Sequence, residues 1–202
     1  MKITNLVTIA TLALGSAAAN ATPISIGSTV PTFSGSALAT DSGTASTVTD
    51  SFTANYSSSV FVDANTGGLD FVYNVMVTAG PESLGNISVG NFTGFTTEAI
   101  AVPSGGFPFL APSSASLLGG VINFQYDSGD GIPAGAYTQE LIVETDATNF
   151  TAGEFSAEDG SVANFAGFEP TVAAATPEPA SLALFGSGLI GLVGIARRRF
   201  KA

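Results

Sequence analysis

Two patterns of apolar spacing divide the chain. At each end the apolar residues form an unbroken run, and between the ends they alternate with polar ones. The clearest alternation is Leu69-Asp70-Phe71-Val72-Tyr73-Asn74-Val75-Met76-Val77. Leu69, Phe71, Tyr73, Val75 and Val77 fall on one face of a strand with period two. Gly67-Gly68 precedes this strand and Ala79-Gly80-Pro81 ends it. A second strand is expected over Tyr137–Thr145, with Tyr137, Leu141 and Val143 facing one way and Glu140 and Glu144 the other. A third covers Val121–Tyr126, with Ile122, Phe124 and Tyr126 inward. Shorter strands are expected at Ser51–Tyr56, Val60–Asp63, Asn86–Val89 and Phe92–Thr97, and around Glu154 to Phe168.

Gly, Pro, Asn and Asp punctuate these segments, and Val, Ile, Phe and Tyr fill them. Both facts favour strands over helices, and no stretch between the ends shows a 3.6-residue period. Ser34 to Thr49 is almost entirely Ser, Thr, Ala and Gly, as befits a flexible stretch or a polar edge strand. The fold class expected is all-β, an antiparallel β-sandwich body. Residues 22–50 form its Ser/Thr/Ala/Gly-rich N-terminal part, 51–168 the sandwich itself, and 169–176 a linker to the C-terminal segment.

The two apolar runs read as addresses. Residues 1–21 have a basic start at Lys2, a soft apolar stretch from Leu6 to Leu14, and small residues at Ala19-Asn20-Ala21. That is the anatomy of a secretory signal peptide, with cleavage after Ala21 or, alternatively, after Ala19. At the other end Pro177-Glu178-Pro179 leads into an uncharged span over 180–196, followed by Arg197, Arg198, Arg199 and Lys201. As a helix this span would be roughly 26 Å long, at the short end of what crosses a bilayer. The basic tail at 197–201 keeps its end cytoplasmic and leaves the body outside.

These C-terminal residues resemble the PEP-CTERM sorting signal: a Pro-Glu-Pro motif at Pro177, Glu178 and Pro179, a Gly/Leu-rich span, and a terminal basic cluster. The physical alternative is a plain single-span anchor. The resemblance covers about residues 176–201 and implies a Gram-negative host that makes exopolysaccharide. It also implies a membrane-embedded cysteine protease-transpeptidase, exosortase, as processing partner beside the secretion translocon. The inner membrane would hold the chain transiently through 180–196, before transfer to the cell surface or the exterior. Residues 131–147, a Pro-Gly turn into a strand ending Thr145-Asp146-Ala147, are similar to a pattern in the bodies of several such proteins. That likeness implies a shared sandwich and no activity.

Charge and composition narrow the chemistry. The 202-residue chain has a formal net charge of -11, and its basic residues all sit near the termini. From Ile3 to Ala196 there is no Lys or Arg, so nucleic acid is excluded as a partner. There is no His and no Cys, which removes the usual general base, the thiolate nucleophile and the sulfur or imidazole ligands of transition metals. A non-enzymatic surface or matrix protein without a required cofactor is expected, associated with exopolysaccharide or biofilm. One alternative is a calcium- or polysaccharide-binding module, with Asp127, Asp130, Glu158 and Asp159 as candidate calcium ligands. Neither acidic loop has the EF-hand spacing, and Asx-Gly turns are common without metal. The other alternative is a carboxylate-based hydrolase. Its obvious pair, Glu140 and Glu144, would stand roughly 13 Å apart on one strand, too wide for a glycosidase.

Overall fold

The structure, a computed structural model, describes residues 21–47, 51–103, 109–126 and 131–172. The chain divides between Thr171 and Val172. The strands in chain order are β1 (Thr22–Ile24), β2 (Ile26–Gly27), β3 (Ala39–Ser46), β4 (Thr53–Val62), β5 (Leu69–Ala79), β6 (Asn86–Val89) and β7 (Thr97–Val102). They continue as β8 (Phe109–Leu110), β9 (Ser114–Leu118), β10 (Val121–Gln125), β11 (Tyr137–Thr138), β12 (Glu140–Thr145), β13 (Phe150–Glu158) and β14 (Val162–Pro170). The described residues contain no helix.

Six strands form one sheet in the order β1-β9-β10-β6-β13-β14. Eight form the other. Along one side of β5 run β12 and then β11, paired at Asp70–Tyr73 and at Met76; on the other side lie β4 and then β3. β7 and β2 extend the sheet beyond β12, and β8 extends it beyond β11. Pairing is antiparallel except for β2–β7 and β8–β11, so the fold is a mixed rather than a purely antiparallel sandwich. The first strand changes sheet at Ser25: β1 pairs with β9 in the small sheet and β2 with β7 in the large one.

The core lies between the sheets. Phe71, Tyr73, Val75 and Val77 of β5 are buried on the face that alternation assigns them, with Leu141 and Val143 of β12 beside them. The small sheet contributes Ile87, Val89, Ile122, Phe124, Phe155 and Phe165. Phe155 joins the layers, with its ring centroid 5.0 Å from Tyr73 and 5.8 Å from Tyr56. Burial of this many large apolar side chains, each worth about 1.5–3 kcal/mol, is what fixes the strand register.

Several local expectations are revised. Ser51–Tyr56 and Val60–Asp63 are parts of the one strand β4, and the Ser/Thr-rich segment supplies the polar edge strand β3. The segment Phe92–Thr97 is a turn; Asn91 has a φ of 66°, and the strand begins only at Thr97. β14 runs through Glu169 and Pro170, two residues into the stretch expected to be linker. Tyr137 does not share the face of Leu141. An irregularity at Gln139 shifts the alternation, so that Thr138 is fully buried and accepts the Val75 N–H on its Oγ1 at 3.0 Å. The signal peptide, apart from Ala21, and the helix expected over 180–196 lie outside the described residues.

Candidate functional site

The outer face of the large sheet carries the chemistry. Residues of β5 that point away from the core are Asp70, Val72, Asn74 and Met76. Register places Asp70 between Phe61 of β4 and Glu144 of β12, and Glu144 opposite Glu98 of β7. One residue pair along the strands, Val72, Ile142 and Ile100 form the next row. That row and Val102 make a second apolar cluster, against which Phe33 packs; Phe33 also stacks on Phe61 with centroids 4.2 Å apart. The segment before β3 thus crosses the outer face, bridging through Phe33 to Asp63.

Asp63 starts the turn between β4 and β5. Its Oδ1 accepts the N–H groups of Asn65 at 2.5 Å and Thr66 at 2.7 Å, an Asx-type turn. The turn closes with the Asp63 N–H on the Gly68 carbonyl at 2.9 Å. Gly68 is obligatory here, because a Cβ would stand 2.0 Å from the Thr145 carbonyl oxygen. Thr145 in turn donates its hydroxyl to the Leu69 carbonyl at 2.7 Å, locking the end of β12 to the start of β5. These contacts bring Asp63, Asp70 and Glu144 together, with one carboxylate oxygen from each lying within 4.8 Å of the others.

The electrostatics of this trio are unbalanced. Asp70 is 0% exposed, and neither of its carboxylate oxygens has a hydrogen-bond partner. Burial first, then the charges of Asp63 and Glu144, push its pKa up to about 7. Asp63 is also buried, yet the turn N–H groups, that of Thr66 foremost, hold it below the ordinary value. Glu144 is half-buried and is raised by burial, by Glu98 and by Asp63, with which it shares a hydrogen bond. No side-chain cation exists to pair with these acids, since the body has no Lys, Arg or His. A cleft of ≈ 420 Å³, lined by Thr66, Gly67, Thr96, Glu98, Glu144 and Thr148 among others, opens beside the trio.

The decisive comparison concerns the other end of the chain. Residues 175–199 match the PEP-CTERM protein-sorting motif. The chain is a PEP-CTERM domain-containing protein, an exosortase substrate. Exosortase is therefore its processing partner, and export with transient membrane anchoring precedes sorting. No curated protein and no solved structure matches this PEP-CTERM chain.

The residues of the sorting segment, Pro177, Glu178, Pro179, Arg197, Arg198, Arg199 and Lys201, lie outside the described residues, as does Ala19. Ala21 is exposed and directly precedes β1. Asp127 and Asp130 are likewise outside the described residues. Glu158 is exposed at the end of β13 and accepts the Asn86 amide at 3.4 Å, and Asp159 begins the turn into β14. Among the described residues, three acids converge not at that turn but at Asp63, Asp70 and Glu144. Glu140 and Glu144 do share the outer face of β12, but both are half-buried rather than fully solvated, and burial raises the pKa of each. Asp63 and Asp70 were not expected as site residues. The available signal was an acid inside the strongest strand pattern, just after a turn that itself opens on an Asp.

Proposed function

We propose that this protein is a non-enzymatic component of the cell surface or extracellular matrix of a Gram-negative bacterium, associated with exopolysaccharide or biofilm. The observation that carries the reading is the sorting motif at 175–199 attached to a body whose side-chain charges are all negative. The signal peptide is removed after Ala21 or Ala19, the span over 180–196 holds the chain briefly, and exosortase trims it. The acidic body then stays soluble and repels its own copies.

The test is the intact mass of the mature protein from membrane and extracellular fractions of its host. A C-terminus between Pro177 and Ala180, found outside the membrane, is the expected result. A mass retaining 180–202 in the membrane fraction would make the tail a permanent anchor and remove the matrix role. Hydrolysis of glycan or ester substrates by the purified protein would overturn the non-enzymatic assignment.

A further inference from the structure

We propose that Asp63, Asp70 and Glu144 form a calcium site on the outer face of the large sheet. Three observations carry it. The carboxylates converge from three separately placed positions, the β4–β5 turn, β5 and β12, and each position is fixed by backbone contacts. Asp70 is sealed from water with both oxygens unpartnered, an arrangement that costs several kcal/mol unless the charge is neutralised. The body supplies no side-chain cation to do this. The remaining neutralisers are a proton or an ion from outside.

Size and donor type choose the ion. Two oxygens on opposite sides of a calcium ion stand about 4.6–5.2 Å apart, twice the usual Ca–O distance, whereas magnesium requires about 4.0–4.2 Å. The three carboxylate oxygens lie within 4.8 Å of one another, a spacing that one calcium ion can bridge. An all-oxygen set without His or Cys suits a hard cation and disfavours zinc or copper. Asp63 holds its turn through Oδ1, and the hydrogen bond between its carboxyl and that of Glu144 is the contact that a bound ion would replace. Glu144 faces the adjoining cleft, which provides access and room for the water ligands that complete a six- to eight-fold shell. The exterior to which the chain is exported is also where millimolar calcium suffices for weak carboxylate sites.

The proposal concerns the folded body and does not depend on the matrix role. It is tested on the full chain in mild detergent, stripped with EGTA and returned to calcium chloride, magnesium chloride or neither. Calorimetric titration should show one calcium ion per chain with half-saturation at about 0.1–1 mM, and Tm should climb with calcium concentration. Asp70→Asn, nearly isosteric, should weaken binding at least about tenfold and abolish the Tm response, because ligand charge count sets affinity. Glu144→Gln, on a half-exposed side chain that folding tolerates, should do the same if the first variant is poorly folded. Glu158→Gln should respond like the parent chain. Absence of calcium binding up to about 10 mM would overturn the site, as would binding undiminished in both Asp70→Asn and Glu144→Gln, or equal saturation by magnesium.

Discussion

Two neighbouring rows on the outer face of the large sheet show opposite ways of closing a surface. Val72, Ile142 and Ile100 form an apolar row, and Ile142 is 0% exposed although it points away from the main core. Asp70, Glu144 and Glu98 form the row beside it on the same three strands, and Asp70 is equally sealed. The first row is complete in itself: Phe33 packs against it, and burial alone stabilises it. The second row is incomplete. Its backbone is as well ordered as the first, with Gly68 admitting the Thr145 carbonyl and the Thr145 hydroxyl tying β12 to β5, yet its charges have no partner of opposite sign within the fold. Since the rows share strands and pairing, the difference comes from side-chain chemistry alone. A surface that needs only exclusion of water takes branched aliphatics; the acid row is finished by something the chain does not carry.

The comparison breaks most sharply on the apolar side. Ile142→Ala should cost about 2–5 kcal/mol, the range for emptying a fully buried aliphatic site. The loss, read from urea unfolding, should be the same in calcium and in EGTA. A loss under about 1 kcal/mol would mean that the outer cluster collapses around the gap and that Phe33 does not depend on it.

Turning the acid row into a copy of its neighbour tests the other side. Asp70→Val replaces an unpartnered buried carboxylate by an apolar side chain. In EGTA this should raise stability by about 1–4 kcal/mol, as replacement of buried charges by apolar groups does elsewhere. In saturating calcium the gain should shrink, because the parent chain is stabilised by its ligand and the variant is not. A variant less stable than the parent in EGTA would show that Asp70 is satisfied within the fold.

The same contrast explains what could be read from the residues alone. Strands with one wet and one dry face announce themselves by alternation, so β5 and β10 are legible, and β6 coincides with one of the shorter expected strands. β7 was not. Its second half, Ala99-Ile100-Ala101-Val102, is buried on both faces and has no period to read, and the expected strand was drawn too early, over Phe92–Thr97. The break at Gln139 was equally silent, because a shift in alternation is visible only once Thr138 is seen to take the Val75 N–H. The acid trio was hidden for a third reason. Asp70 and Glu144 were each placed on the outer side of a strand, but which strands are neighbours, and in what register, is set by packing across the whole sandwich. The sorting motif, in contrast, is readable because its information is local, held in a short stretch of sequence.

The smallest effect concerns Glu140, the other acid on the outer face of β12. It is cross-strand from Val102 of the apolar cluster, and burial raises its pKa. A carboxyl whose pKa is higher folded than unfolded favours folding in its protonated form. Its contribution is therefore full below about 4.3, the unfolded value, and is lost as pH rises through the folded value. Glu140→Gln removes this titration. In EGTA the stability of the variant relative to the parent should grow as pH rises from about 4 to above the folded pKa and then level off, by less than either substitution above because the side chain is half-exposed. A difference that does not change across that range would place Glu140 in contact with water in the folded chain. It would also restrict the buried part of this face to the rows of Asp70 and Val72.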